Sequence, residues 1–229
     1  KNVSIPVNDP NQIQNLKFGN NWLPNSENKH SRLFLPYGTT NLYKEANINL
    51  GNWTIAEGER HMLGDVYVLV AFHNDENKKW CEITNVVGTS KDDILRLPAT
   101  IKSLTNNQEY PLTKIHDHAF AKSQTVDAID FSQATNLEEI GEGAFYKNAL
   151  NKSDFTNKTL DLSKTKVHTI GKEAFFDGFT HDLSAHVLDE IIFPATLKNI
   201  GYGAFYRITS KKITFLNANK DEIVNMTIG

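Results

Sequence analysis

Four near-copies of one phrase run through the C-terminal half of the chain: Ile115-His116-Asp117-His118-Ala119-Phe120, Ile140-Gly141-Glu142-Gly143-Ala144-Phe145, Ile170-Gly171-Lys172-Glu173-Ala174-Phe175 and Ile200-Gly201-Tyr202-Gly203-Ala204-Phe205. Their Phe residues stand 25, 30 and 30 positions apart. Recurrence at such a period marks one supersecondary unit stacked on copies of itself, a solenoid. Solenoids are usually binding surfaces rather than catalytic pockets.

Each unit opens with a short run in which two apolar residues flank one other: Leu95-Arg96-Leu97, Ile129-Asp130-Phe131, Leu160-Asp161-Leu162, Ile191-Ile192-Phe193 and Ile213-Thr214-Phe215. That alternation is the period-2 signature of a strand with one buried face. Pro98 and Pro194 follow at once, and a residue without an amide donor ends a ladder there. Leu137, Val167 and Leu197 stand three before the Ile of the phrase and are placed to return to the same core. Gly141, Gly171 and Gly201 suit either a positive φ or a site too crowded for a side chain. A buried Phe removes roughly 150–250 Å² from water, which one unit alone cannot cover. The units therefore have to stack.

The phrase resembles that of the BspA-like leucine-rich repeat family of bacterial surface proteins, over residues 92–216. The resemblance implies an α/β repeat: a right-handed leucine-rich-repeat solenoid with parallel strands on one face and short turns or helices on the other. A β-rich N-terminal capping region would precede it. The implied role is adhesion or protein recognition, outside the cell or on its surface, and the family pattern carries no catalytic residue. His116 stands where the other copies have Gly, and that first copy also carries the insertion 103–110. An atypical first unit is what a capping repeat looks like.

Three regions are expected. Residues 1–60 are rich in Asn and turn residues, without sustained periodicity, and read as irregular but β-containing. Residues 61–91 read as a capping β-hairpin, from Val66–Phe72 through a polar turn at His73–Asn77 to Trp80–Thr84. Residues 92–229 form the repeat of about four rungs and a final strand. The hairpin would cover the open edge of the array, since an uncovered edge recruits other chains.

The candidate binding face is the solvent side of the strands: Arg96, Asp130, Asp161, Ile192 and Thr214, with Glu190 and Lys212 one step back. Neighbouring strands lie about 4.8 Å apart, so Asp130 and Asp161 are expected to stack as like charges. The reading beside this one is ordinary solvation of a polar sheet face. Two carboxylates fall short of the roughly six to eight oxygens calcium takes. His116-Asp117-His118 has the look of a metal clip, but a transition metal needs three or four converging ligands and the other histidines are dispersed. No metal, cofactor or catalytic residue is assigned.

The formal net charge of -3, with acidic and basic residues interspersed, argues against a nucleic-acid binder. No apolar run is long enough to insert into a membrane. Cys81 is the one cysteine and is expected to be a buried, inert thiol. Lys1 opens the chain without a signal sequence, so the targeting signal is expected to lie outside it. Five Asn-x-Ser/Thr triplets, at Asn2, Asn52, Asn151, Asn157 and Asn225, would be glycan acceptors in a secreted eukaryotic protein, but so Asn-rich a chain holds several by chance and no glycan is assigned. The partner expected is a protein or glycan on another surface. The alternative is a structural spacer that carries another domain away from the cell.

Overall fold

The computed structural model describes residues 2–5, 9–16, 32–48, 54–75, 78–89, 94–123, 126, 128–148, 159–178, 187–216 and 227–228. The chain begins with β1 (Asn2–Ser4), α1 (Pro10–Gln14), β2 (Arg32–Leu35), α2 (Thr40–Glu45) and β3 (Thr54–Glu57), whose strands pair in parallel in that order. Asp9 caps α1 by accepting from the Asn11 and Gln12 amides, and Pro10 occupies the first turn, where its missing N–H is no loss. Thr39 makes no such bond for α2. Glu57 reaches over from β3 instead and accepts from the Gly38 amide at 3.1 Å and the Thr40 amide at 2.8 Å. Ile13 and Tyr43 bury against Ile5, Leu33 and Leu35 in a core of their own.

Three antiparallel strands follow: β4 (Glu59–Leu63), β5 (Val66–Asp75) and β6 (Lys78–Thr89). The expected hairpin strands are thus longer than the polar residues suggested, since His73 continues β5 and stacks on Trp80 across the pair, ring centroids 3.9 Å apart.

The first rung contains β7 (Ile94–Arg96), β8 (Thr100–Lys102) and β9 (Glu109–Ile115), and the second β10 (Ala128–Asp130) and β11 (Glu139–Ile140). The third contains β12 (Thr159–Asp161) and β13 (Thr169–Ile170), and the fourth β14 (Val187–Leu188), β15 (Glu190–Phe193) and β16 (Asn199–Ile200). After them come β17 (Thr209–Ser210), β18 (Ile213–Phe215) and β19 (Thr227–Ile228).

Two columns of parallel strands run from rung to rung, where one was expected. The anticipated strands pair as β7 with β10 and as β12-β15-β18. The Ile of each phrase forms a second column, β9-β11-β13-β16-β19, which continues in parallel onto β6. The turns are stitched together as well. The Phe120, Phe145 and Phe175 amides donate to the carbonyls of Ala144, Ala174 and Ala204 at 2.8, 2.7 and 2.8 Å. Among the described residues the rungs themselves contain turns but no helix.

The four aromatic rings form one stack. Phe120, Phe145, Phe175 and Phe205 follow one another at 5.1, 5.1 and 5.3 Å between centroids, with ring planes 10–13° apart. Phe120, Phe145 and Phe175 are fully buried, as are Leu137 and Val167, with Leu197 nearly so. One contiguous core joins Leu63 of β4 to Ala204 of the last phrase. The glycine question also resolves: crowding is the reason. A Cβ on Gly171 would sit 2.5 Å from the Glu142 nitrogen, and one on Gly201 would sit 2.4 Å from the Lys172 nitrogen. Left-handed backbone occurs two residues later, at His118, Gly143, Glu173 and Gly203. His116 escapes the crowding because β6, not another phrase, lies before it: its amide donates to the Ile83 carbonyl at 2.9 Å.

Candidate functional site

The residues proposed for binding fall into two groups on the first strand column. Arg96 lies opposite Asp130 and pairs with Asp65 at 3.1 Å. Asp161, Ile192 and Thr214 form one row across β12, β15 and β18. Glu190 binds Lys212 at 2.8 Å and accepts from the Thr214 hydroxyl. Those hydrogen bonds from Lys212 and Thr214 hold the Glu190 carboxyl below its ordinary range.

The expected like-charge stack lacks the shared ladder it needs, since β10 and β12 do not pair. Asp130 and Asp161 belong to separate ladders, and each turns back on its own chain: their Oδ1 atoms accept from the Ser132 and Ser163 amides, both at 2.8 Å. An acidic side chain that caps its own turn in this way starts the bend after the strand. The inward residues on either side are buried as expected, except on β18, the last strand of its ladder, where Ile213 is 56 % exposed and Phe215 only partly buried.

The second column carries an outward row that sequence reasoning did not find. Lys114, Glu139, Thr169 and Asn199 stand in register on β9, β11, β13 and β16. Lys114 and Glu139 pair at 3.0 Å. Burial would lower the Lys114 ammonium, but the hydrogen bond and charge of Glu139, with Glu82 and Asp117, outweigh it and raise it.

A third feature lies where the N-terminal unit meets the first rung. Glu82 is 4 % exposed and is held between two histidines, His73 Nε2 at 3.0 Å and His116 Nδ1 at 2.8 Å. Tyr37 meets the edge of His73, with centroids 5.9 Å apart. A cleft of about 470 Å³ opens here, lined by Tyr37, Glu57, Leu69, Asn85, Val86 and His116 among others. Burial raises the Glu57 carboxyl, but bonds from Thr40 and Gly38 and the charge of Lys44 leave it net lowered.

The His116-Asp117-His118 run does not converge on a point. His116 is committed to Glu82, while Asp117 accepts from the Glu142 amide at 2.9 Å. Among the described residues no group of three or more His, Cys, Asp or Glu side chains is placed to hold a metal. Cys81 is fully buried, its thiol pushed up to about 12 by burial, so it is a poor nucleophile. Of the dispersed histidines, His181 and His186 lie outside the described residues.

Strands, turns and aromatic rings repeated in register define a stacked-rung repeat protein. The BspA type leucine rich repeat region matches residues 71–177 and 97–223 in six copies, well over half of the sequence. The chain belongs to that family. Among curated proteins none matches. It is similar to a solved leucine-rich repeat protein from Bacteroides capillosus ATCC 29799, 17 % identical over 68 % of this chain and 97 % of that one, TM-score 0.41. It is also similar to a leucine rich cell surface protein from Faecalibacterium prausnitzii A2-165, 17 % identical over 70 % of this chain and 43 % of that one, TM-score 0.32. A third likeness is a leucine-rich repeat protein from Bacteroides ovatus ATCC 8483, 15 % identical over 67 % and 40 %, TM-score 0.30. The chain spans less than half the length of the latter two. No helix among the described residues is long and apolar enough to cross a membrane.

Proposed function

We propose that the chain is a recognition module displayed outside the cell, a right-handed solenoid whose strand face meets a protein or glycan on a host or neighbouring cell. The single observation that supports this is the rung-to-rung register of both strand columns. Outward side chains are fixed at strand spacing, about 4.8 Å, before a partner arrives. Little ordering entropy then opposes binding. The face comprises Arg96, Asp130, Asp161, Glu190, Ile192, Lys212 and Thr214, and a few rungs supply the roughly 800 Å² per partner of an ordinary interface. Glu190 and Lys212 pair with each other and Arg96 pairs with Asp65 beside the face, so Ile192 and Thr214 form a less charged centre for contact. Enzymatic chemistry is not part of the proposal, and neither is a cofactor.

The test is saturable binding of the labelled chain to candidate host cells and neighbouring bacteria. The double variant Ile192→Lys, Thr214→Lys should bind at least about tenfold more weakly with an unchanged melt, the loss of one modest contact region. Equal binding by the variant would remove the strand face as the site. If the parent chain shows no saturable binding to any surface, the spacer role replaces recognition.

A further inference from the structure

The cleft at the junction of the N-terminal unit and the first rung has a chemistry the strand face lacks. Its floor is apolar, with Leu69 buried and Val86 partly so. The Tyr37 side of it is open, that residue being 43 % exposed. Its polar groups are acceptors or amphoteric: the Glu57 carboxylate, the Asn85 amide, the Tyr37 and Thr84 hydroxyls and the His116 ring. No Lys or Arg is among the residues lining it.

The acidic groups are spoken for only in part. Glu57 takes one amide on each oxygen and the Thr40 hydroxyl besides, and a carboxylate has about four acceptor sites in all. His116 gives one nitrogen to Glu82 and keeps Nε2 for another contact. The field agrees with this inventory. Burial, then the charges of Glu82 and Glu57, raise the Tyr37 hydroxyl against the opposing effect of Lys114. A volume of about 470 Å³ lies within the roughly 300–1,000 Å³ of ordinary ligand sites.

We propose that this cleft receives a basic side chain, an arginine for preference, from a partner polypeptide. The guanidinium lies over the exposed Tyr37 ring, donates to Glu57 and Asn85, and lays its methylene stem along Leu69 and Val86. Arginine suits the site better than lysine because a planar fork both stacks on an aromatic face and donates to a carboxylate. The site is separate from the strand face and stands or falls without it.

The experiment is a titration of the isotope-labelled chain with Nα-acetyl-arginine amide, followed through the amide resonances of Asn85, Val86 and His116. Saturable shifts are expected. Nα-acetyl-citrulline amide, the neutral isostere, should give none at matched concentration. Tyr37→Ala and Glu57→Gln should each weaken binding at least about fivefold, the scale of one cation–π or charged contact. Ile192→Lys, Thr214→Lys on the strand face should leave it unchanged. Glu57 also caps α2, so Tyr37→Ala, at a partly exposed position, is the deciding variant if Glu57→Gln unfolds. The proposal is overturned if citrulline shifts the same resonances equally, if a neutral methyl glycoside does so in place of arginine, or if no ligand gives saturable shifts.

Discussion

The two ends of the rung array are built from the same phrase and finished in different ways. At the first rung, β6 pairs with β9, Glu82 ties His73 to His116, and Glu59 of β4 gathers the insertion 103–110. Glu59 accepts from the Ser103 hydroxyl at 2.7 Å and from the Leu104 and Thr105 amides at 2.6 and 3.2 Å. At the fourth rung Phe205 is only partly buried and Tyr202 and Tyr206 are more than half exposed, as is Ile213 of β18 beyond it. One phrase therefore accepts polar replacements where a sheet covers it and keeps Gly where another phrase covers it. Departure from the repeat consensus marks what the neighbour is, more than what the residue itself does.

The largest expected effect separates the middle of the stack from its end. Phe145 lies between two parallel rings and is fully buried, so Phe145→Ala should cost about 3–5 kcal/mol in denaturant melts. Phe205 stacks on Phe175 on one side and meets Phe193 edge-on, and it stays partly exposed. Phe205→Ala should cost about half as much, by the same cavity argument. Equal losses would mean that the fourth rung is covered as well as the second.

The next effect turns on the second position of the phrase. Gly171→Ala puts a Cβ against backbone atoms of the previous phrase, 2.5 Å from the Glu142 nitrogen, and should cost about 1–3 kcal/mol. His116→Ala, at the equivalent place, meets no such wall but strips a partner from buried Glu82. The two losses are told apart by repeating each in a Glu82→Gln background. The His116→Ala loss should shrink there, because the interaction is already broken, and the Gly171→Ala loss should not change. Coupling of Gly171 to Glu82 would break the distinction between the two ends.

Acid should weaken the first end before the stack. Burial would raise the Glu59 carboxyl, but bonds from His61, Thr105, Ser103 and Leu104 outweigh it and hold it at about 2, below the ordinary 4.5. A carboxyl lowered in the folded state contributes stability above its unfolded pKa and loses it as the pH falls through the window from 4.5 to about 2. The loss is at most about 1.4 kcal/mol for each pH unit there. The protection factors of the Leu104 and Thr105 amides, taken against the unfolded-chain rate at each pH, should therefore fall across that window in the parent chain and stay level in Glu59→Gln. A pH response retained in Glu59→Gln would assign the acid sensitivity to another group.

Much of the rung was legible because it is written four times. The inward Leu and Ile positions, the Ala-Phe turn and the stack of rings follow from period and alternation. The second strand column was not legible, since β11, β13 and β16 are two residues long and carry no alternation of their own. The N-terminal unit leaves a fainter trace. Ile5-Pro6 and Leu35-Pro36 stand 30 apart, as do the buried Ile13 and Tyr43, but two copies with different flanks do not announce a period. The supposed Asp130–Asp161 pair failed because equal spacing in sequence does not ensure one unbroken ladder. The cleft draws Tyr37, Glu57, Asn85 and His116 from distant segments, and its one local sign was His116 standing where Gly was due.

The smallest effect tests whether anything outside the stack and the cap contributes. Glu142 and Lys172 pair across two turns at 3.4 Å, each about half exposed, at the place where consecutive phrases meet. Water screens such a pair, and holding two long side chains in one geometry costs entropy, so Glu142→Ala should change stability by less than about 0.5 kcal/mol. Its neighbours Gly141 and Gly143 are another matter, because a Cβ on either would meet Asp117 or His118 at 2.3–2.4 Å. A Glu142→Ala melt shifted as far as that of Gly171→Ala would show that the turns are held together by charge as well as by close backbone contact. The contrast between a tolerant surface and an intolerant seam would then have to be drawn elsewhere in the rung.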